Sequence, residues 1–429
     1  MYKGPRKPGS LFPSPRFSSQ AMPSLTTFVR LAALVAAAVA LPNNGTASKT
    51  ETAKRATCTV NSVASAADLS DCTAVVITAF TVPSGDTITI AAASGATVTM
   101  TGDITFAKTT AAGPLITFDT DNIVFNGGDH NINVSLLLQP SWWLLVFHLH
   151  LQHRETDPFT GMAKACRIIS VKSHLLTYAK GTNGGVAKPH PFVKFKGFGT
   201  FEDVTVLNSP AQAISVGTTG GAAIIQGVTV DNSAGDAGAL GHNTDGFDIS
   251  ASSVTVSKCT VKNQDDCVAI NSGSTIVIED STCSGGHGIS IGSIATGKTV
   301  SGVTIARNTV IGGASGLYGL RIKVDADATD ASVSNVKYEG NTVSGITEYG
   351  VLISQSYPDD DGTPGTGAPI SGISFTGGTT SVSVESKAHT LVVDCGACSG
   401  TWDFSDLVAT GGVGHIIAAN KATISGGTY

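Results

Sequence analysis

Short β-branched triplets recur along the second half of this sequence: Val204-Thr205-Val206, Val228-Thr229-Val230, Val254-Thr255-Val256, Ile276-Val277-Ile278, Val303-Thr304-Ile305 and Val336-Lys337-Tyr338. Their first residues are 24, 26, 22, 27 and 33 positions apart. Spacing of this kind, stretched where a loop is inserted, is that of a solenoid, in which no unit can bury its apolar face without its neighbours. The runs are rich in Val, Ile and Thr and punctuated by Gly, Ser, Asn and Asp, with no sustained helical period, so the units are strands. A second strand follows in each unit, as in Gly246-Phe247-Asp248-Ile249, Cys267-Val268-Ala269-Ile270, Gly288-Ile289-Ser290-Ile291, Leu320-Arg321-Ile322-Lys323 and Gly350-Val351-Leu352-Ile353. Two strands per coil predict an all-β chain folded as a parallel β-helix. Small polar residues recur at Asn208, Asn232, Asp280, Asn308 and Asn341, where stacked turns can share a hydrogen-bond ladder.

The residues that enter the second strand carry the chemistry. Asn243-Thr244-Asp245, Gln264-Asp265-Asp266 and Gly286-His287 occupy one phase, with Asp245 and Asp265 20 residues apart and Asp265 and His287 22. Stacking then sets three carboxylates and an imidazole about one inter-strand spacing apart, roughly 4.8 Å. Carboxylates that close cannot all ionise freely, so one is held protonated, as a general acid requires. An Asp-Asp step alone is commonly a solvated turn, and a lone Gly-His-Gly a tight bend. Their coincidence on consecutive coils is what points to a site. Arg321 and Lys323, two apart in a strand on the following coil, face one side and suit an anionic ligand.

The set Asn243-Thr244-Asp245, Asp265-Asp266, Gly286-His287-Gly288 and Arg321-Ile322-Lys323, in this order, resembles the signature of the polygalacturonases in glycoside hydrolase family 28, over about residues 190 to 400. The resemblance implies a right-handed parallel β-helix and hydrolysis, with inversion, of the α-1,4 bonds of polygalacturonate (pectin). By it, Asp265 is the general acid, Asp245 and Asp266 activate water, and His287 tunes the acid. Asn243, Arg321, Lys323 and Tyr357 bind substrate, and neither metal nor other cofactor is implied. The chain resembles the compact fungal endo forms. The alternatives are exo action, a calcium-dependent pectate lyase, and a pectin-binding β-helix without activity.

A formal charge of −6 with only 14% charged residues argues against a nucleic-acid partner, which needs a basic face. Arg30 precedes the apolar run Leu31 to Leu41, too short to span a bilayer. The expected order is an over-extended start over 1–21, a signal peptide over 22–41, a propeptide over 42–55 ending at Lys54-Arg55, and one β-helix domain over 56–429. Such a chain is secreted and is expected to act as a monomer, free of membrane. Export favours disulfides, with Cys58 and Cys72, Cys267 and Cys283, and Cys395 and Cys398 as natural pairs, and Cys166 and Cys259 left over. Asn133-Val134-Ser135 and Asn44-Gly45-Thr46 are glycosylation sequons. From about Asn131 to Ala179 the repeat fails. Trp142 to Phe147 and the trio His148, His150 and His153 read as an insertion or as translated non-coding sequence rather than as β-helix.

Overall fold

The computed structural model describes residues 56–429 except 110, 136–187, 219, 238–240 and 314–315. They form the parallel β-helix expected from the repeat, with the right hand that the family resemblance implies. One stack holds 11 strands, and two further stacks merge into a 23-stranded set because Val268–Glu279 runs from one stack into the other. Eight strands of one stack frame the site: β1 (Val193–Phe195), β2 (Ile214–Val216), β3 (Phe247–Ser250), β4 (Val268–Glu279), β5 (Ile289–Ile294), β6 (Tyr318–Asp325), β7 (Tyr349–Tyr357) and β8 (His389–Asp394). Each pairs in parallel with the next.

Strand alternation builds the core. The register Phe195, Val216, Ile249, Ile270, Ile291, Ile322, Ile353 and Val393 is one continuous inward row, and all eight are buried. Phe118, Phe125, Phe195 and Phe201 pack ring to ring at the N-terminal end. Tyr338, Phe375 and Phe404 do so at the other.

The triplets do not all lie in one stack. Val254, Ile276, Val303 and Val336 are register partners, whereas Val206 and Val230 pair in the 11-stranded stack. The partner of Val256 on the preceding coil is Ile225. Both strands of a coil are Val- and Thr-rich and lie one turn apart, so composition alone does not separate them. The polar ladder is likewise partial. Asn308 donates to Asn341, and the N–H groups of Ser209 and Ser281 donate to Asn232 and Asn308. Asn208 and Asp280 instead take left-handed backbone at φ 55° and 51°, a conformation that Asn and Asp tolerate.

The three expected disulfides are formed, Cys58–Cys72, Cys267–Cys283 and Cys395–Cys398, and Cys259 is a buried free thiol. The irregular stretch begins later than expected: Asn131–Val134 is a strand, with Ile132 paired to Val206, because its alternation fits the 11-stranded stack. Asn133 of the sequon lies in that strand. Asn44, Cys166, the His148, His150 and His153 trio and the N-terminal targeting segments lie outside the described residues.

Candidate active site

On the outer face of this stack the eight residues singled out from sequence line one cavity of about 330 Å³, together with Asp248, Asn271, Tyr318 and others. Register explains the meeting. The β3–β4 pairing sets Phe247 against Val268, so two residues upstream Asp245 stands against Asp266 and Thr244 against Asp265. Glycines fix His287: Gly286 and Gly288 have φ of +58° and +67°, and a Cβ would fall 2.1 Å from Asp265 O at the first and 2.0 Å from Gly319 O at the second. The bend and the functional group are one device.

Asp265 accepts from His287 Nδ1 at 3.0 Å, from the backbone N–H groups of Asn243 and Asp266 at 3.1 and 2.9 Å, and from Asn243 Nδ2 at 3.4 Å. Asn243 thus holds Asp265 as well as facing the cleft, and its backbone is left-handed, at a φ of 50°. Asp266, almost fully buried, accepts from Lys323 Nζ and Ser290 Oγ, both at 2.6 Å. Asp245 is buried, and its Oδ1 has no hydrogen-bond partner among the described residues; Asp248 Oδ2 is in the same condition. A buried oxygen of this kind calls for a water or a substrate hydroxyl.

These environments separate the carboxyls. Burial, then the charges of Asp265, Asp248 and Asp266, push Asp245 well above the usual range. Burial with the Asp266 and Asp265 charges brings Asp248 up to about 7. Burial also raises Asp265, but the His287 hydrogen bond and charge, the Lys323 charge and the Asp266 N–H outweigh it and hold Asp265 at about 2. These surroundings favour the protonated form at Asp245 and the ionised form at Asp265. Burial by itself would lower Lys323, and the adjacent Asp266 carboxylate more than offsets it. Ligand atoms of Asp265, Asp266 and His287 lie within 4.8 Å of one another, a spacing compatible with a cation. The Lys323 ammonium already serves Asp266 and the imidazole Asp265, so the donor set is that of an acid–base site.

Arg321 is held from behind. Its Nη2 donates to Asp360 Oδ1 at 2.7 Å, Tyr318 Oη donates to Asp360 Oδ2 at 2.6 Å, and the guanidinium lies 3.8 Å over the Tyr318 ring. Arg321 Nε is buried without a hydrogen-bond partner among the described residues. Tyr357 covers both cations, 5.8 Å from Arg321 and 5.4 Å from Lys323. Asp360→Asn should raise KM for an anionic substrate about tenfold with kcat little changed, since it releases the clamp and not the reacting groups. Steady-state kinetics check this, and a fall in kcat alone would refute it. Sequence reading missed Asp248, Tyr318 and Asp360. Alternation in Phe247-Asp248-Ile249 signals the first, whereas Asp360 reaches the site from a loop after β7 and carries no repeat signal.

Residues 176–425 match the family model described as glycosyl hydrolases family 28. An endo-polygalacturonase of Sclerotinia sclerotiorum is 37% identical over 408 residues, 91% of this chain and 94% of that protein. Endopolygalacturonase I of Aspergillus niger is 36% identical over 367 residues, 84% of this chain and 88% of its own. Among solved structures, endopolygalacturonase I from Stereum purpureum complexed with two galacturonate superposes with a TM-score of 0.75 at 51% identity, covering 87% of this chain and all of that one.

Proposed function

The chain belongs to the glycosyl hydrolases of family 28, and from that premise we propose that it is an endo-polygalacturonase, hydrolysing α-1,4 bonds between galacturonate residues of pectin with inversion. The observation that carries this reading is the meeting of Asp245, Asp265 and Asp266 with Arg321 and Lys323 in one cavity, acids beside the cations that a uronate needs. The galacturonate held by the Stereum purpureum structure supports the substrate, and the names of the relatives support endo rather than exo action and a hydrolase rather than a lyase.

Arg321 and Lys323 grip the carboxylate of a galacturonate next to the scissile bond. That negative charge offsets the cations that hold Asp265 down, and raises it. The proton passes from Asp245 to Asp265, which donates it to the glycosidic oxygen as the bond breaks. Asp245, having given up its proton, takes one from a water that Asp266 helps to hold, and the water's oxygen bonds to the anomeric carbon. Inverting sites usually set acid and base carboxyls roughly 6.5–9.5 Å apart, whereas oxygens of Asp265 and Asp266 lie within 4.8 Å of each other, so the support for inversion is the family resemblance. The anomer first released from trigalacturonate, followed by NMR, tests it, and the retained anomer would exclude it. The endo reading predicts that viscosity of polygalacturonate falls well ahead of reducing-end release. Proportional change in the two would overturn it in favour of exo action.

Activity should fall on the alkaline side, as Asp245, held well above the usual carboxyl range by burial and its acidic neighbours, gives up the proton the cluster shares. Asp248→Asn removes a negative neighbour that raises Asp245. The proton then leaves at lower pH, and the alkaline limb of the kcat profile should move down by about one unit. An unmoved or upward-shifted limb would count against a shared proton.

No helix among the described residues is long and apolar enough to cross a membrane. Secretion through residues 22–41, removal of 42–55, and a monomeric β-helix domain over 56–429 complete the proposal. N-terminal sequencing and mass measurement of the exported protein test it.

A further inference from the structure

Lys194 stands on β1 between the buried Val193 and Phe195, its side chain on the outer face. The register runs from Lys194 to Ser215 and then to Asp248, so the lysine shares the row that enters the cavity. Its ammonium donates to Ser215 Oγ at 2.9 Å. It lies over Gly217, where a Cβ would stand 2.7 Å from Nζ, so glycine leaves the room the ammonium occupies. Burial lowers its pKa, opposed by the charge of Asp248. No carboxylate among the described residues pairs with it within 4.0 Å, in contrast to Lys196 and Lys262.

A desolvated ammonium with one neutral partner keeps donors for a ligand. A polar group without a partner lies on the next coil. The β2–β3 pairing, extended two residues upstream, sets Gln212 against Asp245, and Gln212 Oε1 is buried without a hydrogen-bond partner among the described residues. A donor with spare capacity and an unpartnered acceptor thus stand on adjacent coils, on the side of the stack that carries the carboxyls.

We propose that Lys194, with Gln212 further along the next coil, binds a carboxylate and hydroxyl of the substrate chain at a position remote from the bond that is cut. The proposal rests on the polygalacturonate reading above. Three strand pairings separate β1 from β4, the coil of Asp265, or roughly 14 Å at about 4.8 Å each, a distance that several sugar residues span. Arg321 lies two pairings beyond Asp265 on the other side. Cations therefore mark both ends of the trough with the acids between them, and a polyanion long enough to touch both gains over a short one.

The test compares wild type, Lys194→Gln and Lys194→Glu on galacturonate oligomers of three and seven residues, with calorimetric Kd values for the heptamer in an Asp265→Asn background. For the heptamer, kcat/KM should fall and Kd rise about tenfold with Gln and further with Glu, while trimer hydrolysis stays within about twofold. Equal losses on both lengths would mean damage to the fold, and an unchanged heptamer would mean no contact. Either overturns the proposal. If wild type binds the heptamer but releases no reducing ends, the hydrolase reading fails and the calorimetric comparison alone decides Lys194. If the heptamer does not bind at all, both fall.

Discussion

Asp265→Asn is expected to lower kcat on polygalacturonate by about three orders of magnitude, with KM and unfolding midpoint little changed. Asn keeps the volume and one oxygen acceptor, enough for one of the Asn243 and Asp266 N–H groups, which in the wild type bond different carboxylate oxygens, so most of the local frame survives. What is lost is the proton the leaving oxygen requires, and that appears in kcat. The variant also loses the negative charge that raises Asp245, so its residual activity should have an alkaline limb at lower pH. Reducing-end assays across pH on the purified variant check both. Retention of more than about a tenth of the wild-type rate would remove Asp265 from the acid role and leave Asp245, the carboxyl whose surroundings favour the proton, as the donor.

That last point marks where sequence stops. The meeting of the acids was legible because a solenoid repeats its phase: residues 20 to 22 apart, each just ahead of a strand, must stack. Arg321 and Lys323 were legible by the same rule. Which carboxyl holds the proton was not, because it depends on the number of donors facing each one. Asp265 has His287 and two backbone N–H groups, while Asp245 has an oxygen facing nothing. Triplet alignment misplaced Val204 and Val228 by one strand because neighbouring strands share a composition, an error that leaves the catalytic stack untouched. Asp360 lay beyond sequence reasoning because its partners, Tyr318 and Arg321, are 42 and 39 residues away across an irregular loop. Lys194 belongs to the legible rows but has no acidic neighbour on its own coil to flag it.

Lys323 joins stability and catalysis most directly, and its removal should damage both. Its side chain is 9% exposed and its ammonium sits 2.6 Å from an Asp266 side chain only 2% exposed. Lys323→Met leaves that carboxylate buried with Ser290 Oγ as its one remaining side-chain donor, at a cost of about 3 kcal/mol. The same change removes a cation from the substrate and one of the influences holding Asp265 down, so kcat/KM should fall at least a hundredfold. Lys323→Met with Asp266→Asn separates the two effects. The neutral amide no longer needs the ammonium, and most of the stability should return in urea unfolding, while activity stays low because neither the uronate clamp nor the second base is restored. If the double variant regained activity along with stability, the lysine would serve only to neutralise Asp266, and the grip on the substrate carboxylate would fall to Arg321 alone.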